Sequence, residues 1–499
     1  MKRFFTACFF AGLLSNPLLA EEATLDRLTR NALAKLHNLE LSEAAAKFDS
    51  LLLLAPNDPR GALLKSAHEY LIFIDDSRNE QTVKSLQKWI DKSIRLSEKK
   101  LARERGNAEY LNYLGLAYMY QAGLHAAQEN YLRTFWYIRN GVKTLKRAVE
   151  IDSTHYDAYL GLGVFHYYAD VMPKFIKTVS SFLGLEADRA AGLRELKLVQ
   201  RKGRYLQEAG ALALGDVYVK FEDKFEDALA IFRQVNERYP ANVFYQLYLA
   251  QCYRRTGRPH KALETFEAML RNRQNSKFPS MSRAGYYWTG ELHYGLNDFK
   301  RAEAYYDTTI SVFDQLEKGK YHWAYAYGCY KKGLCLELLG DRANAEVFYK
   351  KVRKKDNAAA HDLAKERLKK PLLAVDVALI KGRNFFRVKM YEESAQVLQE
   401  ALAKTKAEDA EYPEKRKPEL LYNLAKISYE KRAYDDAIEK FQAVIDAKKV
   451  EGEWLKPWAR FRLGECFARI GNTAKAQEMY EKAHAYDDPD LRFEIKKKR

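Results

Sequence analysis

The chain has 499 residues, 47% hydrophobic and 30% charged, a balance that supports folded structure and excludes disorder as its main state. Its 25 glycines and 12 prolines are too few for a turn-rich β fold, so helices are expected. The formal net charge of +17 excludes an acidic solvating chain and makes partner chemistry depend on where the protein resides.

Met1 to Ala20 reads MKRFFTACFFAGLLSNPLLA. Lys2 and Arg3 open it, Phe4 to Leu14 form an apolar stretch, and Pro17-Leu18-Leu19-Ala20 offers a cleavage end, the layout of a secretory signal peptide. The apolar stretch is shorter than the ~20 residues a spanning helix needs, and Cys8 lies too early for a lipoprotein cysteine. Residues 1–20 are therefore expected to be removed, leaving an exported chain that starts at Glu21. The periplasm is the expected address, with the outer membrane as a further place of association. Loss of Lys2 and Arg3 lowers the charge from +17 to +15. On an exported protein this reads first as an evenly solvated basic surface, and no nucleic-acid partner is expected.

Between residues 21 and 205 helical patterns recur with interruptions. LAKLHNLELSEAAAKFDSLLLLAPND carries Ala44, Phe48 and Pro56. YLNYLGLAYMY carries Leu114, Gly115 and Tyr118, with its second helix expected only at GVKTLKRAVEIDS, after an insertion. YDAYLGLGVFHYY carries Leu162 and Gly163, and its partner helix is AGLRELKLVQRKG. Met172 to Leu185 breaks the pattern: Phe175, Ile176, Val179, Phe182 and Leu183 can share one apolar face beside Lys174 and Lys177. Packing against neighbouring helices is the preferred reading there, and peripheral membrane contact the alternative.

From residue 206 onward the pattern becomes regular. In YNLAKISYEKRAYDDAIEKFQAVI, apolar and small residues recur at three and four positions on each side of Lys431-Arg432-Ala433, as in two short amphipathic helices joined by a tight turn. Such a hairpin cannot bury its apolar faces alone and needs neighbours of its own kind. They are present. RLGECFARIGNTAKAQEMYEKA supplies Leu463, Gly464, Gly471, Ala476 and Tyr480, and YLAQCYRRTGRPHKALETFEAML supplies Leu249, Ala250, Gly257, Ala262 and Phe266. Further copies place Gly290, Ala302 and Tyr306, then Gly333, Gly340, Ala345 and Tyr349, then Gly382, Ser394 and Leu398, in matching slots.

This pattern resembles the tetratricopeptide-repeat family, with its W-x2-L-G-x2-Y…A-x3-F…P spacing. The resemblance implies an all-α, right-handed α-solenoid of about ten or eleven helical hairpins, irregular in its N-terminal half. The small residues let paired helices approach closely, so Gly464 is expected to accept alanine but not leucine. The second-helix slots Ala228, Ala262, Ala302, Ala345, Ser394, Ala437 and Ala476 are spaced 34 residues apart only at the first interval. Arg273 to Arg283 and Thr405 to Glu419 read as connectors that interrupt an even stack. Tyr156 to Tyr253 is also similar to the eukaryotic tetratricopeptide-repeat thirty-nine family, which implies an adaptor role and no more. The expected domains are a signal peptide (1–20), a divergent repeat region (21–205), an array (206–404), a charged connector (405–419), and C-terminal hairpins with a basic tail (420–499).

Catalytic chemistry finds little support. Cys252, Cys335 and Cys466 fill one repeat slot, where free cysteine serves as a small hydrophobe, and no Cys/His spacing suggests zinc. No HExxH occurs, and Gly161-Leu162-Gly163 is only a fragment of a dinucleotide fingerprint. No cofactor, metal or catalytic residue is assigned.

A stack of hairpins is suited to binding proteins or peptides along the surface its first helices line. Residues on those helices that point away from the packing slots are the candidate groove: Tyr167, Phe244, Tyr287, Tyr294, Tyr327, Tyr330, Tyr422, Tyr429 and Phe461. Removing Tyr294 and Tyr330 is expected to spare the stack. The functional reading is a non-enzymatic scaffold that organises envelope proteins. The alternative is a binder of acidic envelope polymer or anionic lipid through a basic, tyrosine-lined groove.

Overall fold

The computed structural model describes residues 17–171, 187–272, 277–314 and 322–496. The expected signal segment up to residue 16 and the 172–185 segment fall outside them. The chain divides into two compact units, Met1–Cys252 with Asn272–Met281, and Tyr253–Arg271 with Ser282–Arg499. The division falls inside the stretch read from sequence as one array.

The described residues form α-helices and no strand; only Lys406 and Pro413 make an isolated bridge. In chain order the helices are α1 (Pro17–His37), α2 (Leu41–Leu54), α3 (Pro59–Asp75), α4 (Glu80–Leu101), α5 (Ala108–Ala127), α6 (Tyr131–Ile151), α7 (Tyr159–Val171) and α8 (Arg189–Lys202). Then come α9 (Gln207–Lys220), α10 (Phe225–Arg238), α11 (Val243–Arg255), α12 (Pro259–Arg271), α13 (Pro279–Gly295), α14 (Phe299–Asp314), α15 (His322–Leu338) and α16 (Arg342–Lys351). The last are α17 (Ala358–Lys369), α18 (Ala374–Arg387), α19 (Tyr391–Lys404), α20 (Lys417–Glu430), α21 (Tyr434–Asp446), α22 (Leu455–Arg469), α23 (Thr473–His484) and α24 (Pro489–Lys496). Helix starts follow from local chemistry: Asp58, Asn79, Asn107, Asn130, Asp188, Asp341, Asn357 and Asn472 each accept a hydrogen bond from a first-turn amide.

The hairpin turns repeat in detail. Leu39, Glu129, Asp223, Gly257, Asn297, Gly340, Lys389, Arg432 and Gly471 all have positive φ, between 51° and 88°. They sit in the turns that join α1 to α2, α5 to α6, α9 to α10, α11 to α12, α13 to α14, α15 to α16, α18 to α19, α20 to α21 and α22 to α23. In most of them the next amide donates to a carbonyl five residues back, as Asp298 does to His293, Asp341 to Leu336 and Asn472 to Phe467. A single left-handed residue thus closes one helix and turns the chain into the next.

The packing slots also repeat. A Cβ added at Gly464 would stand 2.7 Å from the Tyr480 ring, at Gly333 2.8 Å from Tyr349, at Gly382 2.6 Å from Leu398, and at Gly290 3.2 Å from Tyr306. In each case the partner lies sixteen residues onward in the chain. Where alanine holds the slot, at Ala250 and Ala425, both Phe266 and Phe441 are fully buried at that same spacing. Cys252, Cys329, Cys335 and Cys466 are buried thiols, none in a disulfide, and burial pushes Cys252 and Cys466 up to about 12.

Three local expectations change. Helix α6 begins at Tyr131, so the supposed insertion before GVKTLKRAVEIDS is itself helical. The segment from Pro279 to Arg283 belongs to α13, and the connector after α19 ends at Arg416. That connector folds back on α18: Glu411 accepts from the Ala374 amide at 2.7 Å, and Arg416 pairs with Asp376 at 2.7 Å. The long interval between Ala345 and Ser394 contains a whole additional helix, α17.

Candidate functional site

The second unit contains a cleft of about 320 Å³ built from one face of α13, α15, α17 and α18. On α15, Tyr327, Tyr330, Lys331 and Leu334 follow i, i+3, i+4, i+7 spacing, which puts them on one stripe. On α18, Asp376, Leu379, Arg383 and Arg387 follow i, i+3, i+7, i+11 spacing and form a stripe of their own. Tyr294 comes from α13, and Arg367 from α17.

The cleft is cationic. Lys331, Arg367, Arg383, Arg387 and Arg416 line it, against Asp376 as the one lining carboxylate. Glu291 and Glu419 stand behind. Glu291 accepts from the Tyr306 hydroxyl, pairs with Lys331 at 3.2 Å, and is 3.9 Å from Arg387. Glu419 pairs with Arg383 and, at 2.9 Å, with Arg416. Glu451 also reaches Arg416, at 3.9 Å, so five cations face four carboxylates. Nη1 of Arg367 is buried without a hydrogen-bond partner, and the Arg387 side chain is 59% exposed.

Aromatic faces hold the cations in place. Lys331 Nζ lies 3.8 Å from the Tyr294 ring centroid and 5.5 Å from that of Tyr327. Burial lowers the pKa of Lys331, while Glu291 opposes the shift. Beyond the cleft, Lys426 on α20 lies over Phe386 at 4.5 Å, and burial, then Arg462 and Arg383, bring it down to about 8. Burial likewise pushes Tyr330 up to about 12, so the phenol stays neutral. An anion arriving here would meet donors already oriented and already crowded by like charge.

The candidate groove residues separate into two groups. Tyr327 and Tyr287 are half-buried and close together, with ring centroids 6.4 Å apart; Tyr429 and Phe244 are half-buried elsewhere. Tyr167, Tyr294, Tyr330, Tyr422 and Phe461 are buried. Tyr294 and Tyr330 line the cleft and also belong to the hydrophobic cluster around Phe299, Tyr349 and Cys335. The expectation that their removal would spare the stack is corrected: neighbouring hairpins close over these rings. Tyr167 is enclosed in the first unit, where its hydroxyl donates to Glu222 at 2.7 Å. Phe461 packs on Tyr480 at 5.7 Å, and Tyr422 on Phe441 at 5.7 Å.

Sequence reasoning passed over the cations. The available signal was spacing: Lys331 and Lys426 each follow a first-helix tyrosine, Tyr327 and Tyr422, by four residues. Among the described residues no group of three His, Cys, Asp or Glu side chains is placed to hold a metal ion. No described helix is long and apolar enough to cross a membrane.

Comparisons with known proteins follow the same repeat. Family models described as tetratricopeptide repeat match residues 212–277 and 381–450, and a further one matches residues 458–487. Among solved structures, a tetratricopeptide repeat protein from Parabacteroides merdae is similar at 15% identity, over 58% of this chain and 97% of that one, with a TM-score of 0.26. The APC/C hetero-tetramer Cut9-Hcn1 is similar at 14% identity, over 96% of this chain and 92% of that one, with a TM-score of 0.25. No match is found among curated proteins. The chain thus carries tetratricopeptide repeats, units that commonly bind other proteins.

Proposed function

We infer that this protein is a non-enzymatic scaffold for protein–protein interactions, and that the cleft of its second unit docks a peptide segment bearing carboxylates. The observation that carries this reading is the surplus of cations in a tyrosine-walled cleft, with Arg367 Nη1 buried and unpartnered. Aromatic walls supply contact area at low entropic cost, and fixed cations supply selection for acidic side chains. The signal-like segment from Met1 to Ala20 motivates a site of action in the cell envelope.

A fluorescein-labelled octapeptide of alternating Glu and Gly tests the docking by anisotropy. Arg387→Glu and Tyr327→Ala alter partly exposed side chains, so both variants should fold. Each is expected to weaken binding about tenfold or more, while a Lys-Gly control peptide does not bind. Equal affinity of wild type and both variants would move the site elsewhere. Export is tested separately, by N-terminal sequencing of the envelope fraction, which should begin at Glu21.

A further inference from the structure

Helix α6 of the first unit carries a face that its own hairpin leaves uncovered. Leu132 is 86% exposed, Tyr131 63% and Trp136 56%, while Gly141, Val142, Leu145 and Ala148 on the opposite side are buried. At 3.6 residues per turn, Leu132, Trp136, Arg139, Lys143, Lys146 and Arg147 fall on one stripe, and all six are exposed. An apolar, aromatic tip is thus continuous with a ridge of four cations. Glu150 stands at the far end of that stripe.

A cleft opens beside the ridge. It measures about 220 Å³ and is floored by Leu101, Leu111 and Leu114, with Arg105, Lys143 and Arg147 at its rim. Arg147 is held over it by donating to the Arg105 carbonyl at 3.1 Å. Leucine below and three cations above suit an amphiphile with a negatively charged head.

We propose that the outer face of α6 seats this protein on an anionic phospholipid surface, with Tyr131, Leu132 and Trp136 entering the interface and the basic ridge engaging headgroup phosphates. Charge complementarity selects this occupant. Tryptophan and tyrosine favour the headgroup level, and a basic amphipathic helix gains both apolar and electrostatic energy there. The proposed contact is peripheral, at the depth of the headgroups; no described helix is long and apolar enough to cross a membrane. The surface is independent of the cationic cleft in the second unit.

Co-sedimentation with phosphatidylcholine vesicles, with and without phosphatidylglycerol, tests the proposal. Wild type should sediment with the anionic vesicles and stay in solution with the neutral ones. Leu132→Glu combined with Trp136→Ala, and separately Lys143→Glu combined with Arg147→Glu, should each lower partitioning about tenfold or more at unchanged circular dichroism. Brominated lipid should quench tryptophan emission in wild type and not in Trp136→Phe. Failure of wild type to bind anionic vesicles overturns the proposal, as does binding that survives both double variants. Quenching that persists in Trp136→Phe, or a concentration-dependent dimer abolished by the Leu132→Glu pair without vesicle binding, overturns it equally.

Discussion

Replacing Gly464 by alanine tests the physical basis of the repeat. An added Cβ would lie 2.7 Å from Tyr480 Cε1, 2.9 Å from Cδ1, and 3.1 Å from the Ala476 carbonyl oxygen, where ordinary contact begins at 3.4 Å. The ring would have to retreat by the difference, 0.7 Å. It has little room: Tyr480 is 5% exposed and packed among Phe461, Ala483, Leu491 and Ile495. Overpacking of this kind costs ~1–3 kcal/mol, and the helix-propensity gain of alanine over glycine returns ~1. The net expectation is a loss of about 1 kcal/mol, so the sequence-based tolerance of alanine is corrected; leucine should cost more. Urea unfolding followed at 222 nm measures it. Tyr480→Leu provides the control: in a double-mutant cycle the glycine substitution should cost less on that background, with coupling near 1 kcal/mol. A Gly464→Ala protein more stable than wild type, or a cycle with no coupling, would refute steric closure of the slot.

Arg432 sits in the left-handed region with φ 63°, so Arg432→Gly should stabilise the last hairpins by about 1 kcal/mol, read by the same unfolding assay. Tyr294→Ala with Tyr330→Ala should lower the melting temperature sharply, since truncating each buried ring costs about 3–5 kcal/mol, and a melt like wild type would place both rings outside the core. Burial holds the His293 imidazole below its ordinary 6.5, with Asp298 and Glu267 opposing the shift. Below pH 6.5 the unfolded chain therefore takes a proton that the folded state declines, and stability falls with acid. His293→Gln should flatten the loss of melting temperature between pH 7.5 and 5.5. Lys426 has the same sign at higher pH: with its folded value near 8 against an ordinary 10.5, its charge burdens the folded state fully below pH 8, and the burden fades toward pH 10.5. Lys426→Met should accordingly stabilise at pH 7 and make no difference near pH 10.5.

The repeat was legible because its physics is local. A small residue and a ring sixteen positions later, as at Gly333 and Tyr349, specify how two consecutive helices touch, and both residues are written in one short stretch. The turns were legible at Gly257, Gly340 and Gly471, but the same left-handed conformation at Leu39, Glu129, Lys389 and Arg432 carries no compositional mark. There the bracketing helices impose the backbone, at a cost the packing offsets. Helix α6 began earlier than its pattern suggested, since Leu132 and Trp136 face outward and invert the usual amphipathic cue.

Sequence alone determined the regular helical hairpins and the tyrosines along their first helices, but not the additional helix α17 or the start of α6. Tertiary structure decided which of those tyrosines are walls and which are core. Tyr327 stays half-open while Tyr330, three residues on, is covered, because closure depends on α17 and α18, elements dozens of residues away. The cleft's charge was decided the same way. Whether a lysine or arginine is solvated or crowded depends on which carboxylates reach it, and Glu291 and Glu419 reach Lys331 and Arg383 only after separate hairpins have stacked.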